Sequence, residues 1–386
     1  MRKVCVIAGG QSVWGQRPDV TMRDLIQEGA KACFDDNKAV KPKDVDGLIY
    51  SSVRTPKIQV HPAPMVAEYI GVKPVNICCS CEALCASGSS GIIIANAMIA
   101  SGQADVVMVL GGEKRSVNSW ESSFEITLSN DHDFDAALGF YFPPTFFGMV
   151  AKHHMKKFGT TEEQLALVSV KNRRNGSHMP KAQQKKTVTL EECMTARAIV
   201  SPLKLNDCCP TTDGSAAIIL ACEERAKELT DKPLLYFKGA AQGSVNNNVA
   251  NITDWSTFGL LEKIAALAYK KAGITAADID VAQTHDCFTI SEIIEYEQLG
   301  FCKPGEGGEF IQSGKSDFGG IVPVNTDGGL LANGHPLGAT GLRQGIEIMH
   351  QLRGDAIQQV DGARIGLTHN LHGFAAAQTV LIYGRD

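Results

Sequence analysis

The chain has 386 residues, enough for a large core and two or three domains, and its 44% hydrophobic and 20% charged residues with 38 glycines describe a turn-rich globular protein. A net charge of −5 offers no basic surface for nucleic acid or acidic membranes. No apolar run reaches the roughly 18 residues that a membrane span needs, and "MRKVCVIAGGQ" opens as a buried strand and turn, which predicts a cytoplasmic protein.

In chain order, a strand at "KVCVIAGG" is followed by a helix at "MRDLIQEGAKACFDD" and a strand at "DGLIYSS". "CCSC" at Cys78 to Cys81 contains a C-x-x-C, but no matching second pair lies at zinc-site spacing, so no metal is expected. The 12 cysteines read as free thiols in a reducing compartment, mostly as small buried hydrophobes.

"SCEALCASGSSGIIIANAMIASG" places Cys85 at the start of an apolar helix. Unpaired backbone N–H groups and the positive end of the helix dipole favour an anion there, which predicts a lowered thiol pKa. A core cysteine on a turn is the plainer alternative. A strand at "DVVMVLGGE" follows. From 117 to 189 the texture becomes aromatic, histidine-rich and loop-like, and reads as an insertion or lid. Its "FYFPPTFF" stretch, with Phe147, serves either as core or as the wall of an acyl pocket. Lys171, Arg173 and Arg174 in "VKNRRNG" are candidates for phosphate contacts, against a solvated face.

"AAIILACEE" continues the strand pattern. "THDCFTISEIIEYEQLG" then sets His285, Asp286 and Cys287 at a strand end before a helix, with Asp286 a candidate N-cap. "NGHPLGATG" carries His335 into a glycine-rich helix start, where an imidazole facing a thiol can take its proton. "LTHNLHGFAAAQ" puts His369, Asn370 and His372 at a last turn that can present backbone N–H groups to an oxyanion. "CASGSSG" from Cys85 and "HPLGATG" from His335 both place glycines three and six residues on, then a helix, then a strand. That spacing predicts two similar halves.

Together these segments resemble the thiolase superfamily along essentially the whole chain, in the form of the archaeal and sterol-carrier-protein type thiolases that share "HDCF". "GGEKRS" and the "DGSAA" of Asp213 to Ala217 add to the likeness. It implies an α/β thiolase fold: two α-β-α-β-α halves related by a pseudo-two-fold repeat, one formed by 1–116 with 190–240 and the other by 241–386, with 117–189 as an inserted loop domain.

The chemistry implied is cleavage or formation of a 3-oxoacyl-CoA through an acyl-enzyme on Cys85, with coenzyme A as co-substrate and no covalently bound cofactor. His335 would take the thiol proton, His335 and His285 would face the enolate oxygen, and Cys287 would be the second acid/base. The oxyanion holes would use Cys85, His285, His335 and His372, with Phe147, Arg173, Arg174 and Asn370 as substrate or coenzyme contacts. Many thiolases carry C-x-G where this chain has Asn370, Leu371 and His372. A histidine in place of that glycine reaches the required backbone angles only with strain.

The family also implies a homodimer or tetramer and, for archaeal-type relatives, a small zinc-ribbon and OB-fold partner protein. The chain is similar as well to the thiolase subunit of benzoylsuccinyl-CoA thiolase, which would mean a bulky or aromatic acyl group. Acetoacetyl-CoA chemistry beside a hydroxymethylglutaryl-CoA synthase, a ketosynthase-like condensation and a non-catalytic scaffold are the alternatives.

Overall fold

The computed structural model describes residues 2–53, 62–116, 135, 137–140, 142–245 and 248–385. The chain begins β1 (Val4–Gln11), α1 (Met22–Asp36), β2 (Gly47–Ser51), α2 (Ala63–Ile70), β3 (Ile77–Cys81), α3 (Ser87–Ala100) and β4 (Val106–Glu113). It continues with α4 (Pro143–Phe158), α5 (Glu162–Gly176), α6 (Leu190–Met194), β5 (Ala198–Val200), β6 (Leu203–Lys204), β7 (Gly214–Cys222), α7 (Glu223–Leu229) and β8 (Leu235–Ser244). The remainder is α8 (Leu261–Ala272), β9 (Val281–Gln283), α9 (Thr289–Gln298), α10 (Gly307–Gln312), α11 (Gly329–Asn333), α12 (Leu337–Arg353), β10 (Ile365–His372) and β11 (Ala377–Arg385).

The apolar runs became central strands. β4 and β7 are buried along their whole length, as strands covered on both faces must be. The sheet order is β3-β2-β4-β7-β1-β8-β11-β10-β9, one hydrogen-bonded sheet of nine strands.

Its two ends follow the same plan. β3, β2 and β4 are parallel neighbours, β7 turns antiparallel beside β4, and β1 pairs antiparallel with β7. In the second half Val324 bridges parallel to Ala282 of β9, β9 pairs parallel with β10, and β11 and β8 follow antiparallel. The predicted repeat is therefore topological. The halves meet where β1 pairs briefly with β8, through Cys5 with Tyr236 and Val6 with Leu235. A boundary at residue 240 falls inside β8.

Alternation along β1 shows the layering. Val4 and Val6 face a central cluster, while Cys5 and Ile7 face an outer one with Ile26 of α1, Val66 of α2 and Leu229 of α7. The central cluster holds α3 and α12 between first-half strands (Val107, Ile218) and second-half strands (Val281, Leu381). On the far side, α4, α5, α8 and α9 pack over the second half. Five layers result, α-β-α-β-α.

The expected loop-like insertion is helical over Pro143–Phe158 (α4) and Glu162–Gly176 (α5), with turns and irregular chain at 137–140 and 177–189. α4 starts on two prolines, which suit a first helical turn, and ends at Gly159 with φ 82°. Residues 117–134, Ala136 and Tyr141 of that stretch lie outside the described residues.

The glycines of the repeat let the two central helices touch. A Cβ on Gly88 would sit 3.1 Å from the Gly338 carbonyl oxygen, and one on Gly341 would sit 2.7 Å from the Ser89 nitrogen. Gly341→Ala should therefore lower stability by about 1–3 kcal/mol, although alanine is the better helix former. Thermal unfolding checks this, and a raised melting temperature would mean that the helices do not need the close approach.

Candidate active site

Between β3 and α3 the chain turns sharply. Leu84 takes φ 45°, a left-handed conformation costly for leucine, and its neighbours hold it there. The Glu82 carboxylate accepts the Leu84 N–H at 2.6 Å, and Ser87 Oγ accepts from Ala83 N–H at 2.8 Å and donates to the Leu84 carbonyl at 2.6 Å. Cys85 follows on a turn of 3₁₀ helix before α3.

Cys85 opens onto a cavity of about 260 Å³ lined largely by apolar and aromatic side chains. Its wall includes Cys287, His335, Phe147, Phe288 and Phe374. Phe147 stacks on Phe288 at 4.3 Å between ring centroids, so α4 of the insertion is fastened to the residue beside Cys287.

The Cys85 sulfur and one ring nitrogen each of His285 and His335 lie within 4.8 Å of one another. The two rings stand edge to face at 4.9 Å, and both Nε2 atoms are buried without a partner. Their Nδ1 atoms differ. His335 Nδ1 meets Thr340 Oγ1 at 2.6 Å, while that hydroxyl donates to the Pro336 carbonyl at 3.1 Å. Thr340 has one hydrogen, so His335 Nδ1 donates and its Nε2 presents a lone pair. His285 Nδ1 faces the amide nitrogen of Asn370 at 3.0 Å, a donor, so its Nε2 carries the proton. One imidazole is set as a base and the other as a donor.

Asn370 is itself held by the Ser89 hydroxyl. Below His285 lies a buried network. The Asp286 carboxylate accepts from the N–H groups of Leu330 and Leu331 at 2.7 and 3.1 Å, capping α11 rather than α9, whose N-cap is Phe288. Burial and the neighbouring Glu292 carboxylate raise the Asp286 pKa.

Electrostatics overturn one expectation. Burial pushes the Cys85 thiol up to about 12, outweighing the Gly373 N–H, the Arg115 charge and the cysteine's own N–H, which all favour the thiolate. Burial, with Arg115 and Arg343, lowers His335 to about 3. At neutral pH the resting pair is thiol and neutral imidazole, because desolvation exceeds what a helix start contributes. Cys287 is 5% exposed and raised well above the usual thiol range, first by burial and then by Cys209 and Cys85.

Four expected contacts lie elsewhere. The backbone N–H directed at the Cys85 sulfur belongs to Gly373, not to His372. Gly373 has φ 54°, so glycine does occupy the left-handed position, one residue later than the motif comparison placed it. The His372 ring instead lies beside the Ala83 carbonyl and Glu82. Arg173 donates to the Lys186 carbonyl at 3.0 Å and Arg174 pairs with Asp317 at 2.5 Å, so neither reaches the cavity. Asn370 stands behind His285 and does not line the cavity, whereas Phe147 does.

Sequence reasoning passed over Cys209 and Arg115, which both line the cavity. Cys209 donates its N–H to the Cys287 carbonyl at 3.0 Å. A pair of adjacent cysteines before a proline carried no spacing signal. The sulfur and two imidazole nitrogens are also a soft ligand set that a zinc-like cation could bridge.

A family model described as "Thiolase, N-terminal domain" matches residues 4–224, and one described as "Thiolase C-terminal domain-like" matches 241–385. The chain is 38% identical over 388 residues to the "Acetyl-CoA acetyltransferase" of Methanothermobacter thermautotrophicus, covering 100% of both chains. It is 37% identical over 314 residues to "Sterol carrier protein 2" of Oryctolagus cuniculus, covering 78% of this chain and 57% of that protein. Among solved structures, "Ltp2-ChsH2(DUF35) aldolase" superposes with a TM-score of 0.88 at 25% identity, covering 100% of this chain and 98% of that one. Human mitochondrial 3-ketoacyl-CoA thiolase in complex with CoA gives 0.75 at 19%, with the same coverage.

The raised thiol predicts how Cys85 alkylates. Iodoacetamide modification, followed on the Cys85 peptide by mass spectrometry, should speed up about tenfold per pH unit from pH 7 to 9 without levelling off. A plateau near neutrality would mean that the helix start outweighs burial.

Proposed function

This chain belongs to the thiolase family and is an acyltransferase, and from that premise we propose that it cleaves or forms a 3-oxoacyl-CoA through an acyl group on Cys85, with coenzyme A as acceptor. The observation that carries the reading is the convergence of the Cys85 sulfur with two imidazole nitrogens of opposite protonation at the base of an apolar cavity that Cys85 and His335 line.

In the cleavage direction the sulfur attacks the substrate ketone while the His335 Nε2 lone pair takes the thiol proton. A neutral thiol and a neutral base exchange that proton as the S–C bond forms, so no ion pair has to be maintained in the empty cavity. The C–C bond then breaks and the departing thioester enolate carries charge on oxygen. His285 Nε2–H and the newly protonated His335 Nε2–H donate to it. Cys287, kept protonated by burial, gives its proton to the enolate carbon, and its thiolate then takes the proton of incoming coenzyme A. The N–H groups of Cys85 and Gly373, directed at the sulfur at rest, stand where the acyl oxygen of the intermediate needs donors. Reversal gives a Claisen condensation.

The aromatic wall suits a bulky acyl group, benzoylsuccinyl-CoA being one such substrate, better than an acetyl group alone. A small partner protein is supported by the structural neighbour described as an Ltp2-ChsH2(DUF35) assembly. That neighbour's description as an aldolase marks the second reaction class on this fold, and aldol cleavage needs no acyl-enzyme.

Intact-protein mass spectrometry after incubation with acyl-CoA and 3-oxoacyl-CoA thioesters separates the readings. Wild type should gain one acyl mass, Cys85→Ala should gain none, and Cys287→Ala should keep the adduct while its transfer to coenzyme A slows about 100-fold or more. Turnover without any adduct would favour aldol cleavage, and neither turnover nor adduct a scaffold.

A further inference from the structure

Cys287 has to lose and regain a proton in an apolar cavity, and one buried neighbour is placed to stabilise the anion in between. Ser291 lies four residues on, in the first turn of α9, and is 0% exposed. Its hydroxyl oxygen stands 3.8 Å from the Cys287 sulfur, the partner this hydroxyl has among the described residues. A serine inside a helix commonly turns its hydroxyl to the carbonyl four residues back. Here that carbonyl belongs to Cys287 itself and accepts the Cys209 N–H at 3.0 Å, and the hydroxyl goes to the sulfur instead.

The start of α9 is held in place around this contact. Thr289 Oγ1 donates to the Asp207 carboxylate at 2.9 Å, the Ser291 N–H donates to the Phe288 carbonyl at 2.9 Å, and the Phe288 ring stacks on Phe147. The hydroxyl is therefore preorganised toward the sulfur.

Burial does most to keep the proton on Cys287, and Cys209, Cys85 and Glu295 add to it, whereas the Ser291 hydroxyl works the other way. Cys208, His335 and Arg115 complete the titratable and charged lining of the cavity among the described residues. Between a neutral thiol and a hydroxyl, 3.8 Å is a weak contact in which either group can donate. Once the sulfur is an anion only the hydroxyl can, and a hydrogen bond to a charged acceptor is shorter and about twice as strong.

Resting on the acyl-enzyme reading above, we infer that Ser291 is a positioning residue for the second proton transfer, its hydroxyl donating to the Cys287 thiolate between the two steps that use it. The Cys287 thiol gives its proton to the enolate carbon and the sulfur keeps the electron pair. That thiolate then takes the proton of the coenzyme A thiol, which frees the coenzyme sulfur to attack the acyl carbon. The Ser291 O–H bond stays intact throughout. Ser291 thus acts on the steps that pass through Cys287 and leaves the nucleophilicity of Cys85 alone.

The test starts from acyl-enzyme made with whichever thioester labels Cys85 and follows transfer of the acyl group to saturating coenzyme A in a single turnover. Wild type is compared with Ser291→Ala, Ser291→Thr, Cys287→Ala and the double variant Ser291→Ala with Cys287→Ala. Ser291→Ala should slow transfer about 10-fold or more, Ser291→Thr should recover most of that loss, and Ser291→Ala should cost nothing further once Cys287 is alanine. Iodoacetamide alkylation of Cys85 should run at the wild-type rate in Ser291→Ala, whereas a general loosening of the site would change it. Unslowed transfer in Ser291→Ala, a further loss of the same size on the Cys287→Ala background, or altered Cys85 alkylation would each overturn the inference. Thermal unfolding identifies a folding defect in Ser291→Thr, in which case the double variant decides. A wild type that takes no acyl group from any thioester would instead remove the acyl-enzyme reading, and this inference with it.

Discussion

The contact on which the rest of this structure depends is the meeting of two helix starts at their glycines. α3 and α12 are the middle layer, and Gly88, Gly338 and Gly341 bring their first turns to backbone distance. Gly111 of β4 shows how little room remains: a Cβ there would sit 2.1 Å from the Gly338 carbonyl oxygen. Because each start follows directly from a reactive residue, Cys85 in one half and His335 in the other, the packing of two helices sets the distance between sulfur and imidazole. Chemistry here is a by-product of close packing, and neither helix could be moved outward to relieve a side chain without separating the pair.

That same close packing decides the electrostatics. A thiol at a helix start would be acidic in water, but here it sits at the base of an apolar cavity, and losing water outweighs the partial charges of the turn. The result is a thiol and two imidazoles held neutral at rest. The two imidazoles do different work because their second nitrogens meet different neighbours, a hydroxyl on α12 for His335 and an amide on β10 for His285. Asn370, expected as a substrate contact, acts through His285 and so sets which of the two rings donates.

Much of this was legible in the chain. The matched glycine spacing after Cys85 and His335 foretold both the pseudo-repeat and the pairing of those residues, because helix starts that need glycine for approach leave a periodic trace. The strand-end position of "THDC" likewise brought His285 and Cys287 to notice. What escaped was set by folding at long range. Gly373 replaced His372 because β10 extends through His372, so the left-handed residue falls one place later than a motif alignment puts it. Arg173 and Arg174 looked like phosphate ligands only as a cluster of charges, and folding turned them to Lys186 and Asp317. Cys209 and Arg115 reach the cavity from loops whose sequences carry no period.

The repeated halves and the insertion divide the labour unequally. Duplicated topology supplies the layers and the two helix starts, whereas α4, which has no counterpart in the second half, supplies Phe147 to the cavity wall. Phe147 stacks on Phe288, the residue after Cys287, and Phe146 stacks on Phe374, the residue after Gly373, at 4.7 Å. The insertion therefore grips both segments that carry its nearest reactive groups. Two aromatic stacks thus couple α4 to the residue after a thiol and to the residue after a backbone donor. In this fold, the aromatic wall of the cavity and the backbone that carries Cys287 and Gly373 are mechanically one.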